Sequence, residues 1–198
     1  MLYWDRPRPA KKLGQVSDGG VDLNRELRHK KFMFNPTIRL ETNLFSLVQL
    51  EQSHYEELYT VASNPIVWEQ HQEKNRWQEE NFLKFFQKAI QNNNGCFVVF
   101  NKNLNKIIGS TRFYLSTKDS IKIGYTFLSP EYWGTGANKE IKKAMLDYAF
   151  EFVDKVYFDV GKKNIRSRTA VEKLGAVLSD KTDEKVFYRI DKERYFGV

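Results

Sequence analysis

Residues 124–140 read Gly124-Tyr125-Thr126-Phe127-Leu128-Ser129-Pro130-Glu131-Tyr132-Trp133-Gly134-Thr135-Gly136-Ala137-Asn138-Lys139-Glu140. A strand ends near Leu128, Pro130 turns the chain, and two glycines lead into the longest helical stretch of the sequence. Gly134 and Gly136 supply backbone positions that accept φ > 0 and let a ligand come close. The unpaired N–H groups of the helix's first turn then face the space beyond the strand end. A glycine loop feeding a helix N-terminus is a cradle for a pyrophosphate. The helix dipole adds about 0.3–1 kcal/mol per nearby exposed charge. The Walker A pattern is absent, and the dinucleotide fingerprint G-x-G-x-x-G starts at Gly134 but meets Lys139 where its third glycine belongs. There is no G-x-S-x-G nucleophile elbow.

Working outward, the helix is expected over 138–153, with Ile141, Met145, Tyr148, Ala149 and Phe152 on one face. A strand over 156–160, a short helix over 165–174 closed by Gly175, and a final hairpin of strands 177–179 and 186–190 follow. Upstream lie three strands, 96–100, 106–115 and 120–128, joined by turns at 101–105 and 117–119. Before them, Ser53-His54-Tyr55-Glu56 has the form of a capping box, and Tyr55, Leu58, Tyr59 and Ala62 make a helical stripe that Asn64-Pro65 stops. A second helix is expected over 78–90, burying Phe82, Phe86, Ala89 and Ile90. Residues 37–50 read as extended. This order predicts an α/β fold of the α+β kind, with a mixed, mostly antiparallel central sheet and flanking helices. Its strand–helix–strand unit implies one parallel pairing. A crevice opens there, beside the N-terminus of the long helix.

The 198 residues, 15% of them aromatic, suffice for one large domain with its own core. The only cysteine, Cys96, opens an apolar strand and reads as core, so no disulfide and no cysteine-based zinc site is expected. That usage fits the cytoplasm. No apolar run approaches the ~20 residues of a membrane span, and no leader-like segment opens the chain. The first 31 residues hold eight Lys and Arg against four Asp and Glu, which is +4 of the +7 total. We therefore divide the chain into a basic arm, 1–34, in which 22–31 has the pattern of a short helix, and a domain, 35–198. No nucleic-acid motif is recognisable, so nucleic acid is not an expected partner. The arm and the final hairpin leave a homodimer open.

Three features together resemble the GNAT superfamily of acetyl-CoA-dependent N-acetyltransferases. Trp133-Gly134-Thr135-Gly136-Ala137-Asn138 is similar to the superfamily's [Q/R]-x-x-G-x-[G/A] loop, departing from it at Trp133 and Asn138. Asn164-Ile165-Arg166-Ser167, followed by Glu172-Lys173-Leu174-Gly175-Ala176, is similar to its N-x-x-S/A … E-K-x-G-[FA] element. The stretch from Gly124-Tyr125 to Pro130, with Asn138-Lys139-Glu140 and Lys143, resembles the branch containing ribosomal-protein N-acetyltransferases. The resemblance implies acetyl-CoA as cosubstrate, a primary amine as acceptor and no metal. It implies that backbone N–H groups from Gly134 through Thr135, Gly136, Ala137 and Asn138 to Lys139 hold the pyrophosphate. The Phe127-Leu128 edge and Asn164 bind the pantetheine arm, and Ser167 protonates the departing thiolate. Arg168, with Lys139, Lys142, Lys162, Lys163 and Arg166, flanks these elements and is a candidate to neutralise phosphate.

The acceptor side is expected on the 64–77 link, where His71 and Glu73 are the candidate bases and Glu69, Glu73, Glu79 and Glu80 a candidate source of acidity. Trp68 and Trp77 read as core. The alternative function is a catalytically idle acyl-CoA-binding regulatory module.

Overall fold

A computed structural model describes residues 34–198. The basic arm, with its expected helix over 22–31, lies outside the described residues except for Phe34.

The described chain starts with a hairpin, β1 (Leu40–Glu41) and β2 (Phe45–Gln49). The stretch expected to be continuously extended is thus broken at Thr42, whose N–H donates to the Phe45 carbonyl. Helices α1 (Tyr55–Ala62) and α2 (Glu79–Ile90) follow, then the meander β3 (Cys96–Asn101), β4 (Lys106–Tyr114) and β5 (Ser120–Leu128). Next come α3 (Ala137–Ala149), β6 (Lys155–Gly161), α4 (Ile165–Glu172), β7 (Val177–Lys181), β8 (Lys185–Asp191) and α5 (Lys192–Phe196). One eight-stranded sheet runs β1-β2-β3-β4-β5-β6-β8-β7. Every neighbouring pair is antiparallel except β5 and β6. The mixed, mostly antiparallel sheet expected from the sequence is what forms.

Strand alternation sorts the core onto the two faces of the sheet. Phe97 and Val99 of β3 face one way, with Ile108, Phe113, Ile121 and Ile123, and meet Ile141, Met145 and Ala149 of α3. Cys96 and Val98 face the other way, with Ile107 and Phe127, and meet Leu58 and Ala62 of α1 and Phe82, Phe85 and Phe86 of α2. Phe34 joins the α3 face through ring contacts with Phe113, Tyr148 and Phe152.

Several local expectations are corrected. Ser53 caps nothing; a single 3-10 turn over Gln52–His54 precedes α1, and there the Glu51 N–H donates to His54 Nδ1 at 3.0 Å. Ile90 is 40% exposed, and Phe85 is buried in its place. Helix α3 starts one residue early, on Gly136 as N-cap, and ends at Ala149 rather than 153. The last turn of the chain, α5, was not anticipated; Tyr195 docks it on α3 by donating to Asp147 Oδ1 at 2.7 Å.

Lys142 is the largest departure. It was expected beside a phosphate, yet it is 4% exposed beneath the sheet. Its Nζ donates to Thr111 Oγ1 at 2.8 Å and also to Thr126 Oγ1. Burial with no carboxylate partner lowers its pKa from 10.5 to about 7. The unfolded chain therefore binds this proton more tightly than the folded one, and the resulting loss of stability is fully present below about pH 7 and fades as pH rises to 10.5. Lys142→Met should raise stability by about 2 kcal/mol at pH 7, since Thr111 and Thr126 keep each other as partners at 2.8 Å. The gain should be clearly smaller at pH 9.5, as read by denaturant melts at the two pH values.

Candidate active site

The site begins where a ladder stops. β5 and β6 pair only at Ser120–Lys155, Ile121–Val156 and Lys122–Tyr157. Lys122 and Asp159 close that end with a half-buried ion pair at 2.7 Å. Beyond it β5 continues to Leu128 and β6 to Gly161 without partnering each other. A bulge sharpens the parting. Thr111 of β4 faces both Tyr125 and Thr126 of β5, because the register slips between Ser110 and Arg112. Tyr125 takes φ +52°, a costly angle for a tyrosine.

The glycine loop stands at the open end. Gly134 has φ +76° and Gly136 φ +92°, and a Cβ built on either meets nothing within 4 Å. Conformation alone asks for glycine there, and the space beside it is open. No side chain caps the N-terminus of α3 through Gly136, although Thr135 Oγ1 accepts from the Ala137 N–H at 3.3 Å. Asn138 is half-buried and Lys139 exposed. The N-terminus of α4, across the parting, is already satisfied. Asn164 Oδ1 accepts from the Ser167 N–H at 3.0 Å, and Gln70 Oε1 accepts from the Arg166 N–H at 3.1 Å. The first turn of α4 thus holds two such side-chain bonds and that of α3 one.

Trp133 and Arg166 tie the two sides together. The indole Nε1 donates to the Leu128 carbonyl at 3.0 Å, while the Arg166 guanidinium lies 3.5 Å from the indole centroid. The same guanidinium donates to Glu69 Oε1 at 2.6 Å. Trp133, at the position that departs from the motif, thus holds part of the Phe127–Leu128 edge. Phe127 turns its side chain into the α1–α2 core against Trp68, with ring centroids 5.0 Å apart.

The 64–77 link forms two single 3-10 turns, Pro65–Trp68 and Lys74–Trp77. Trp68 is buried and donates its Nε1–H to the Ala62 carbonyl at 2.7 Å. His71 Nδ1 accepts from the Glu73 N–H at 2.9 Å, and Nε2 stands 3.4 Å from Arg76 Nη1. Burial first, then Arg76 and Lys185, lower the His71 pKa to about 4. Of the four glutamates, Glu69 pairs with Arg166 and Glu80 with Lys84. Arg168 is committed elsewhere, its Nε donating to the Tyr188 hydroxyl at 3.1 Å and its Nη1 to the Lys162 carbonyl at 3.3 Å. Ser167 is half-buried in the first turn of α4.

The sequence reading missed Arg112, which is 5% exposed on β4. The signal was present: the single charge past the first residue of β4, directly across the ladder from Cys96.

Among the described residues, no helix is long and apolar enough to cross a membrane, and no group of three or more His, Cys, Asp or Glu could hold a metal ion.

Parting parallel strands with a glycine loop on the helix between them define the acyl-CoA N-acyltransferase fold. Residues 45–177 match the family model of the acetyltransferase (GNAT) domain, so the chain belongs to that family. No curated protein matches it. Among solved structures it is similar to the GNAT-family acetyltransferase from Bacillus anthracis, at 19% identity and TM-score 0.67 over 79% of this chain and 99% of that one. It is similar to an N-acetyltransferase from Brucella melitensis, at 17% identity and TM-score 0.73 over 82% of each. It is also similar to the spermidine N-acetyltransferase from Vibrio cholerae solved with CoA and spermine, at 18% identity and TM-score 0.62 over 77% of this chain and 98% of that one.

A His71 that stays neutral in the folded state makes stability fall with acid. Below about pH 6.5 the unfolded chain takes up the proton and the folded chain does not, until about pH 4. His71→Asn, which keeps an acceptor for the Glu73 N–H, should remove roughly 2 kcal/mol of the stability lost between pH 6.5 and 4.5. Urea melts of the two proteins across that range check this.

Proposed function

We propose that the protein moves the acetyl group of acetyl-CoA onto a primary amine by direct attack in a ternary complex, with 35–198 as the catalytic domain, 1–34 as a basic arm and the cytoplasm as its setting. The observation that carries the reading is the open space over Gly134 and Gly136 at the head of α3, beside two strands that part. The amides from Gly134 to Lys139 take the pyrophosphate there, with the Lys139 ammonium adding charge. The edge at Phe127 and Leu128 takes the amides of the pantetheine arm once the Trp133 indole leaves the Leu128 carbonyl. Asn164 caps α4 with its oxygen and keeps its NH2 for the same arm.

Acetyl-CoA supplies an acetyl group already activated as a thioester. The chain's residues hold the amine against it, and positioning of this kind is worth several kcal/mol of the barrier. As the C–N bond forms and the C–S bond breaks, the Ser167 hydroxyl gives its proton to the sulfur. Glu73 or His71, directly or through water, takes the proton from the amine. A His71 with a pKa of about 4 is a weak base, so Glu73→Gln should slow turnover more than His71→Asn. The likeness of 124–130 and 138–143 to ribosomal-protein N-acetyltransferases makes a protein N-terminus one acceptor class to assay, beside small amines.

Saturating acetyl-CoA, at ~100 times its Kd, should add about 2.7 kcal/mol to stability. That is a rise of about 5–10 °C in Tm for a chain of this size, with ATP and NAD as controls. Gly136→Val should lower the stability of the free protein by about 1–2 kcal/mol, because valine is strained at φ +92°, and remove most of the acetyl-CoA shift. Ser167→Ala should keep that shift and lower kcat by about 10- to 100-fold. No shift with acetyl-CoA refutes the reading. A shift without thiol release over a broad amine panel identifies the idle acyl-CoA-binding module instead.

A further inference from the structure

Arg112 stands on the α1–α2 face of β4, opposite Cys96. Its guanidinium carbon lies 4.5 Å from the Phe85 ring centroid and 4.3 Å from that of Tyr125. Its Nε and Nη2 are buried and have no hydrogen-bond partner. Arg76, half-buried on the link, lies over the same Phe85 ring at 4.4 Å and over Trp68 at 5.1 Å. Two like charges therefore converge on one ring. Burial lowers both arginines from their ordinary range, Arg76 to about 10. The groups acting on Arg112 include the Cys96 thiol and the Tyr125 and Tyr114 hydroxyls; the carboxylate acting on Arg76 is that of Glu73, exposed on the link.

Burying a guanidinium without a counter-ion is costly, and the ring contacts offset only part of that cost. The arrangement fits a site whose counter-ion arrives with a ligand. Its position says which ligand. Tyr125, which covers Arg112, is the bulged residue where β5 leaves β6. Arg76 belongs to the link that also carries His71 and Glu73. The two cations thus border the acceptor side of the parting rather than the Gly134–Gly136 loop.

Resting on the acetyl-transfer reading above, we propose that the acceptor amine carries an oxyanion, a carboxylate or a phosphate, which docks on Arg112 and Arg76 and aims the amine at the parting of β5 and β6. Arginine offers such oxyanions paired N–H donors in a fixed plane. The same pair of charges repels an acceptor that carries only amines.

The test uses the full chain labelled with 15N. The buried Arg112 Nε–H signal is assigned by its disappearance in Arg112→Lys. It is followed while glycine, glycinamide, O-phosphoethanolamine and ethanolamine are added in the presence of CoA. The signal should move with glycine or O-phosphoethanolamine and stay still with glycinamide and ethanolamine. Movement with one oxyanion alone upholds the site and names its source. Arg76→Gln, at a more accessible position, should weaken binding of the oxyanion-bearing amine by about 10- to 100-fold while leaving the acetyl-CoA rise in Tm intact. A signal that ignores both oxyanions, or moves equally with the members of each pair, overturns the proposal. If acetyl-CoA gives no rise in Tm and the Arg112 signal still answers to the oxyanion, the acetyl-transfer reading fails and the anion site stands.

Discussion

The short parallel ladder between β5 and β6 is the constraint on which the rest depends. Three residue pairs and the Lys122–Asp159 ion pair hold the strands together at one end. β6 is not left unsupported where it departs, because β8 pairs with it along its whole length, from Lys155–Asp191 to Gly161–Lys185. On the other side β4 holds β5 from Tyr114 to Gly109, across the bulge at Tyr125. Each strand has a complete partner on its outer flank, so the inner edges are free to diverge. The two helices that follow them, α3 and α4, then present their N-termini toward the same gap.

Within that frame the polar groups divide by what they still need. The N-terminus of α4 is satisfied by Asn164 and Gln70, and Arg168 is bound into the Tyr188–Glu172 relay. The glycine loop is not filled in this way, and neither is Arg112. Buried polar groups in folded proteins nearly always have partners. Among the described residues Arg112 departs from that rule with Nε and Nη2, and Tyr55 with its hydroxyl, whereas the glycine loop is exposed and needs no protein partner. Lys142 shows the contrasting solution, since it is as deeply buried but two threonine hydroxyls receive its protons.

Much of this was legible in the sequence because it depends on local rules. The strand periods, the glycines before the long helix and the stop at Gly175 are all readable from neighbours a few residues apart, and they gave the sheet, its one parallel pairing and the loop. What escaped depended on partners distant in sequence. Lys142 looked like a surface lysine because the helical pattern does not say that Thr111 and Thr126 wait under it. Ile90 and Phe85 exchanged roles because two apolar faces fit α2 equally well until Tyr125, Phe127 and Arg112 choose one. The Ser53–Glu56 capping box matched a pattern, but His54 reaches back to Glu51 first. Arg168 and Arg166 differ by half a turn of α4, and only the positions of Tyr188 and Trp133 decide which one faces the gap.

The Trp133–Arg166 stack has a mechanical meaning. Two halves of a sheet stitched at one end behave as a pair of jaws, and the stack is a strap across their mouth. Arg166 is also fastened to Glu69, so the strap's far anchor is the link rather than the sheet. Force applied between the jaws is therefore delivered to residues more than ninety positions away in sequence, without passing through the core. Stiffness at the mouth is set by that ion pair, the ring contact and the bond from the Arg166 N–H to Gln70, and of these the partly exposed ion pair is the one that salt screens.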